Sequence, residues 1–395
     1  MIHNHIFSHI SKIGFRNDQP SPRARSIQAR RGASAIFGIF LCAAIFTLLA
    51  TITEFAHIDN ARTEMTRSAD SAALAAAWEL YEAQIQNDGT ADTRVMSAAD
   101  HYGNVNRVAG TSHSLAQSDG SVEMGVFDAA LGTFQATGDY RTADAVRVRY
   151  DLIDGQMGEV PLFFGGLTGR SSQPLRTTSI AHFSKDIVGF EQPWSESNTI
   201  DILPIALDLD TWNAVQAQST EDRLAYVDGE VRSGSDGWFE CSLYPTGTGS
   251  PGNRGTVDIG SRSNSTSDLR RQITDGISAQ DFIDLGKPLV FDGNGELELN
   301  GDTGISAGIK AQLSEIIGEK RVIPIFTEVN GNGNNANYTI VAWAGIRVLA
   351  VKLTGPMKKK HLTIQPAPMV VRGGVTGSGS SNHSSHVMTP ARLVN

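Results

Sequence analysis

The chain has 395 residues, only two cysteines and a formal net charge of −9 at pH 7. Cys42 lies in an apolar run and cannot meet Cys241 in an exported domain, so we expect no intramolecular disulfide. An acidic chain has no general attraction for phosphates, so we expect no nucleic-acid partner. The charge is unevenly placed, because residues 1–32 carry +5 and the remainder therefore carries −14. The chain thus begins with a basic segment and continues as an acidic one.

The segment that follows the basic residues, 33–53, contains no charged side chain. As a helix it rises about 31 Å, which is enough to cross the hydrocarbon core of a bilayer. Because Lys and Arg favour the cytoplasmic side, we predict a transmembrane helix over 33–55, a cytoplasmic segment over 1–32 and export of the remainder. The alternatives are a cleaved secretory signal, whose apolar part is usually shorter, and a buried core helix, which does not explain the charge asymmetry.

A helical pattern continues beyond the membrane, because residues 56–86 contain neither Pro nor Gly. Small and apolar side chains recur there every three or four residues and define one helix face. We predict a helix-packing interface formed by Ala61, Met65, Ala69, Ala73, Ala76 and Ala77. Small residues at this spacing let another backbone approach closely. Two partners are open for this face: the chain's own sheet, or other subunits as in a filament core.

Residues 30–80 resemble the N-terminal module of TadE/TadG-like proteins of Flp (tight adherence) pilus systems. In that family a basic Arg-Arg-Gly precedes a membrane span, and an alanine-rich helix with polar residues at fixed positions follows. The matching polar positions in this chain are Asp59, Arg62 and Asp70. The resemblance implies a bacterial inner-membrane protein whose partners are other pilus-assembly or envelope proteins, or further copies of itself.

One position departs from the pilin-like members of that family. They are cleaved after a glycine and carry a glutamate five residues later, which pairs with the new amino terminus of a neighbouring subunit. Gly32 is the candidate processing position in this chain, but Phe37 stands where the glutamate belongs. The departure argues against a major filament subunit, so the resemblance implies an accessory or minor pilin-like protein.

Beyond the stem, a short helix is predicted over 90–102, and the apolar pattern then changes to a period of two. Residues 122–134 read as a hairpin, and 145–150 and 175–183 as further strands. We therefore predict an α+β fold, in which a single N-terminal transmembrane helix continues as an amphipathic stem and a mainly antiparallel, pilin-like β ectodomain follows. The stem and its pilin-like domain are predicted to occupy 56–190.

A second β-rich exported domain is predicted over 191–365. Its predicted parts are a loop over 246–267, helices over 268–283 and 307–317, and a hairpin of strands 321–329 and 338–353. Residues 366–395 are rich in Ser, Gly and His, and we predict a disordered tail there.

Two short motifs point to chemistry, and each has a plainer explanation. Residues 304–308 fit the nucleophile elbow G-x-S-x-G at Ser306, but no apolar strand runs directly into the turn, so we interpret the motif as a helix start. Residues 292–298 alternate oxygen ligands as a calcium loop does, yet Leu297 and Thr303 stand where an EF-hand requires Gly and Glu. We predict no catalytic residue, no metal site and no cofactor, and hence no enzyme.

These observations predict a membrane-anchored, non-enzymatic accessory or minor pilin-like protein for Flp/Tad pilus assembly or a related surface adhesion. It is expected in the bacterial inner membrane, with a cytoplasmic N-terminus and the bulk of the chain periplasmic or extracellular. The alternative is an anchored extracytoplasmic module that binds a glycan or another surface ligand through its C-terminal half.

Overall fold

The structure, a computed structural model, describes residues 23–86, 89–118, 120–244, 254–260, 265–331, 333–377 and 383–394. The helices are α1 (Arg23–Gln86), α2 (Ala91–Val105), α3 (Gly165–Thr168), α4 (Leu209–Gln216), α5 (Thr266–Asp275), α6 (Ala279–Leu285) and α7 (Lys310–Glu315). The strands are β1 (Val122–Asp128), β2 (Thr133–Ala136), β3 (Ala145–Leu152), β4 (Val160–Pro161), β5 (Ser172–Gln173), β6 (Leu175–His182), β7 (Ile187–Phe190), β8 (Thr199–Ile200), β9 (Ile205–Asp208), β10 (Leu224–Val227), β11 (Glu230–Ser233), β12 (Cys241–Ser242), β13 (Arg254–Val257), β14 (Ile277–Ser278), β15 (Leu289–Val290), β16 (Leu297–Asp302), β17 (Lys320–Asn330), β18 (Ala336–Lys352), β19 (His361–Pro366), β20 (Met369–Val370), β21 (Gly374–Thr376), β22 (Ser384–Ser385), β23 (Val387–Met388) and β24 (Arg392–Val394).

The long N-terminal helix is confirmed as α1, and its apolar part is exposed. Between Ser34 and Gln86 the helix is long and apolar enough to cross a membrane, judged by length and composition, and the structure describes one such helix. Phe37 and Phe46 are 68% and 70% exposed. Side chains of this size are rarely left in water in such a dense row, so the exposure fits a helix that faces lipid.

The chain divides into two compact units, and α1 contributes to both. The first unit contains the described residues up to Asn60 together with Val160–Gln173, and the second contains Ala61–Glu159 and Pro174–Asn395. Within the first unit, β4 pairs with β5, and the short helix α3 lies between them. The sequence places a boundary near residue 190, but the second unit continues through that position.

In the second unit, a five-stranded antiparallel sheet has the order β2-β1-β3-β6-β24. The predicted hairpin is present as β1 and β2, and the predicted strands are present as β3 and β6. Along β3, apolar residues alternate with Arg147 and Arg149, and the apolar ones are buried. This alternation is the reason that a charged segment forms a strand with one face in the core.

The larger sheet has eight strands, and five of them close into a ring. The path runs β12-β19-β18-β16-β13-β9-β17, with β22 beside β18, and β17 pairs back onto β18. The long hairpin predicted around residues 330–336 is confirmed as β17 and β18. Successive residues of β9 belong to different cores: Ile205 and Leu207 to one, Ala206 to the other. Apolar residues on both faces explain why this half lacks a simple alternating pattern.

Two predictions for this half are wrong. Residues 268–283 are not one helix, because Gly276 takes a φ of +85° that ends α5, and a new helix, α6, starts at Ala279. The Ser278 hydroxyl accepts the Asp281 amide, and the Asp281 carboxylate accepts the Ser278 amide, which is a capping box. Within the predicted loop over 246–267, the described residues Arg254–Val257 form β13, between β9 and β16 in the large sheet.

The prediction of a disordered tail is also wrong for residues 366–377 and 383–394. They supply β20 to β24, which pair with one another, with β18 and β7, and with β6. The His383 imidazole lies 3.0 Å from the Asp186 carboxylate, which fastens the tail to a segment almost two hundred residues earlier. In the described parts of the tail, polar residues take part in such pairings.

Candidate functional site

The small-residue face of α1 is buried inside the single chain. The exposed fraction is 1% for Met65 and zero for Ala61, Ala69, Ala73, Ala76 and Ala77. All six predicted packing residues therefore share one buried face, together with Ser68, Leu80 and Ala83, which have no exposed area. No space remains along this face for a side chain from outside the chain.

Helix α2 packs closely against this part of α1. The Ser68 hydroxyl donates to the Gly103 carbonyl at 3.2 Å, and the Tyr150 hydroxyl lies 3.3 Å from the same carbonyl. A Cβ at position 103 would stand 2.9 Å from the Leu115 side chain, so only glycine fits without a shift. Arg94 adds an ion pair with Glu79 at 2.8 Å. The small side chains of α1 are thus matched by a glycine on α2.

The five-stranded sheet supplies the other side of the contact. The Ser179 hydroxyl on β6 donates to the Asp70 carboxylate at 2.6 Å. The Gln84 amide donates to the Ala143 carbonyl at 2.7 Å, and the rings of Tyr81 and Phe183 meet edge to face. Polar contacts thus join α1 to the sheet at positions about four turns apart. Of the two partners that the sequence leaves open, the chain's own sheet and α2 cover the face.

The polar positions of the family motif have different surroundings. Asp70 joins the stem to β6, whereas Asp59 and Arg62 lie on exposed sides of α1. Sequence reasoning missed Glu64, whose carboxylate accepts the Ala109 amide at 2.8 Å and holds a residue with a φ of +49°. Gly32 lies within α1, and its surroundings are outside the described side chains.

Asp144, His182 and Lys185 form a polar cluster beside the five-stranded sheet, in which the His182 imidazole lies 3.9 Å from the Asp144 carboxylate. Burial lowers the pKa of His182 to about 4, and burial likewise lowers the pKa of Lys185 to about 8 although Asp144 and Asp139 oppose the shift. The Lys185 ammonium donates to the Ala143 carbonyl at 3.0 Å, and the Asp144 carboxylate accepts the Phe127 amide at 2.8 Å. These bonds close turns at the sheet edge, so the cluster has a structural explanation.

The two chemical motifs from the sequence have local structural roles. The Ser306 hydroxyl accepts the Gly308 amide at 3.1 Å at the start of a helical turn over Ala307–Ile309, in agreement with the helix-start interpretation. The Asp292 carboxylate accepts the amides of Asn294 and Glu296 within its own turn. Among the described side chains, no group of three or more His, Cys, Asp or Glu residues is arranged to hold a metal ion.

Together these features define a class of protein: a long apolar N-terminal helix followed by a mainly antiparallel α+β region. Residues 32–79 match the family model described as Putative Flp pilus-assembly TadE/G-like. Residues 32–79 are therefore similar to this family, which confirms the resemblance noted for residues 30–80, and the match spans the apolar run and most of the stem. Comparison with curated proteins and with solved structures gave no match.

Proposed function

We propose that this protein is a membrane-anchored, non-enzymatic accessory or minor pilin-like component of Flp/Tad pilus assembly or of a related surface adhesion. The observation that carries the proposal is the position of the family match. Residues 32–79 cover the apolar run and the helix that organises the α+β fold, so the family's module is the part of the chain on which the ectodomain is built. The chain then serves by holding an ectodomain at the membrane.

The proposal places the basic N-terminus in the cytoplasm and the ectodomain in the periplasm or outside the cell. The excess of Lys and Arg before residue 33 supports this orientation. Phe37, which is 68% exposed, supports an accessory role over a major filament role, because an aromatic ring cannot replace the carboxylate that pairs with a neighbour's amino terminus. The partners are then envelope proteins that meet the exposed surface of the ectodomain, not its buried alanine face.

The absence of catalysis is part of the proposal. Ser306 caps a helical turn, and burial raises the pKa of the Cys241 thiol to about 12. A thiol with such a pKa remains protonated at neutral pH and is a poor nucleophile.

The test is complementation of a gene deletion in the source bacterium. The paired variants are Leu41→Asp with Ile45→Asp, and the matched control Leu41→Ile with Ile45→Leu, at side chains that are 50% and 47% exposed. Each acidic residue at a helix centre costs about 3 kcal/mol of membrane insertion, whereas the control preserves apolar character. We expect the control to reach the membrane fraction and to restore sheared pili and surface adherence, and the acidic variant to do neither. Normal pili in the deletion strain would refute the proposal.

A further inference from the structure

The loop of residues 160–173, called the collar loop below, lies against the end of the apolar run of α1. The amides of Phe163 and Phe164 donate to the two oxygens of the Glu54 carboxylate at 3.1 and 2.9 Å. The His57 ring packs at a tilt against the Phe163 ring, with 4.3 Å between the ring centroids, and its Nε2 lies 3.1 Å from the Pro161 carbonyl. Glu54 is only 8% exposed, although it is the first charged residue after the run.

A residue within the apolar run itself is also buried, one helical turn before Glu54. Ala50 is only 7% exposed. Ala43 and Ala44 are exposed on the same helix, so an alanine is not buried by the helix backbone alone. Ala50 precedes Glu54 by one helical turn on the same face and lies about 5 Å inside the end of the run. When residues 33–53 cross the bilayer, the buried Ala50 lies at the depth of the membrane boundary.

The outer surface of the collar loop is apolar. Residues 160–169 contain no charged side chain. Phe163 and Leu167 are 68% and 65% exposed, and Phe164 is 40% exposed. Three large apolar side chains on one short exposed loop are unfavourable in water but favourable at the boundary between headgroups and acyl chains. Arg170 follows directly, and a basic side chain there suits an anionic lipid surface.

The backbone of the collar loop is also arranged for a place with little water. The Leu162 amide donates to Ser171, the Leu167 amide to Phe164, and the Arg170 amide to Gly165. Together with the two amides that donate to Glu54, these bonds satisfy five backbone N–H groups of the loop. Lipid has no acceptors for such groups in its hydrocarbon region, so internal bonds are required there. A Cβ on Gly165 would stand 1.9 Å from the Arg170 carbonyl, so the closed shape of the loop depends on that glycine.

We propose that the collar loop is a second membrane contact, in which Phe163, Phe164 and Leu167 insert into the outer interface of the bilayer while Glu54 fastens the loop to α1. The ligand is the lipid surface, and the inference rests on the proposed anchor. Two apolar contacts at one level fix the depth and rotation of the helix, because tilt is set by interfacial anchors as well as by helix length. Glu54 acts as a positioning residue.

The experiment uses the full chain with Cys42→Ala and Cys241→Ala, in vesicles of phosphatidylethanolamine and phosphatidylglycerol. A nitroxide is attached in turn at Leu167→Cys, at Ile39→Cys within the run, and at Leu131→Cys, an exposed leucine of the β1–β2 turn. Collision rates with oxygen, which concentrates in lipid, and with a water-soluble nickel chelate are measured by power saturation. We expect the oxygen-to-nickel ratio at position 167 to lie several-fold above that at 131 and to approach that at 39.

A ratio at 167 equal to that at 131, with 39 in lipid, would overturn the collar inference and leave the anchor intact. A water-like ratio at 39 would instead overturn the anchor, and the collar inference with it. Shielding of 167 from both reagents would mean that protein covers the loop, which also overturns the inference.

The role of Glu54 is tested in the same vesicles with the label at 167. Glu54→Ala removes both acceptors of the loop amides and should move the ratio at 167 towards the water-like value. Thr53→Ala is the matched control, because the Thr53 hydroxyl donates to the Leu49 carbonyl of its own helix, and it should leave the ratio unchanged. An unchanged ratio in Glu54→Ala would overturn the positioning role.

Discussion

The substitution Ala73→Leu separates a core role of the alanine face from a role between subunits. Ala73 has no exposed area, and its neighbours Ala69, Ala76 and Ala77 have none either. Leucine adds three carbon atoms where no space exists. Overpacking of this kind costs about 1–3 kcal/mol, because side chains must leave their preferred rotamers or the helix must shift. The variant should therefore unfold more easily even when every molecule is isolated in a micelle.

The assay is unfolding of the detergent-solubilised full chain, followed by tryptophan fluorescence in denaturant and by thermal melting. For a unit of this size the loss corresponds to a fall in Tm of about 2–4 °C. The matched control is Ala56→Leu, at an exposed position on the same helix, which should leave the transition in place. A normal transition for Ala73→Leu, combined with loss of crosslinks between subunits, would refute the reasoning and favour a filament interface.

Two further predictions concern the sheet edge. A chain that ends at Met388 loses β24 and the paired bonds between Thr389 and Ser184, so its free energy of unfolding should fall by about 2 kcal/mol, whereas a disordered tail predicts no change in the same denaturation assay. Burial lowers the pKa of His182 from 6.5 to about 4, so the folded state binds fewer protons than the unfolded state at intermediate pH. The folded state is therefore fully stable with respect to this group above about pH 6.5, and stability is lost as the pH falls towards 4. Between pH 7 and pH 5, protonation of His182 in the unfolded state should lower the free energy of unfolding by about 2 kcal/mol. The free energy of unfolding of His182→Phe should therefore depend less steeply on pH, and equal slopes for the two proteins would contradict the assignment.

Local periodicity was sufficient for the long helix and the hairpins. A stripe at three- and four-residue spacing marks the buried face of α1, and alternation marks β3, because each pattern is imposed by one helix or strand on its own residues. The sequence predicted six packing residues, which are buried in the structure, but it could not name their partner. An alanine face looks the same whether the opposing backbone belongs to α2 or to another subunit.

Most of the failures share one physical cause, which is that the deciding partners are distant in sequence. The exception is the helix predicted over 268–283, which is divided locally at Gly276. Strands of two or three residues such as β22 and β24 carry no readable pattern, and they exist because β18 and β6 pair with them. Glu54 gave a similar difficulty. Its carboxylate is buried by residues more than one hundred positions away, and nothing near it in the sequence signals that contact. The closing pair of the strand ring, β17 and β9, is likewise non-local.

The central claim is that α1 remains a permanent membrane anchor. The most direct test is the intact mass and N-terminal sequence of the protein extracted from membranes. A chain that retains Arg30 and Arg31 is the predicted result, because the accessory role requires an uncleaved helix. A chain that begins beyond Glu54 would contradict the claim, since the apolar run would then be a removed signal and the protein a secreted one.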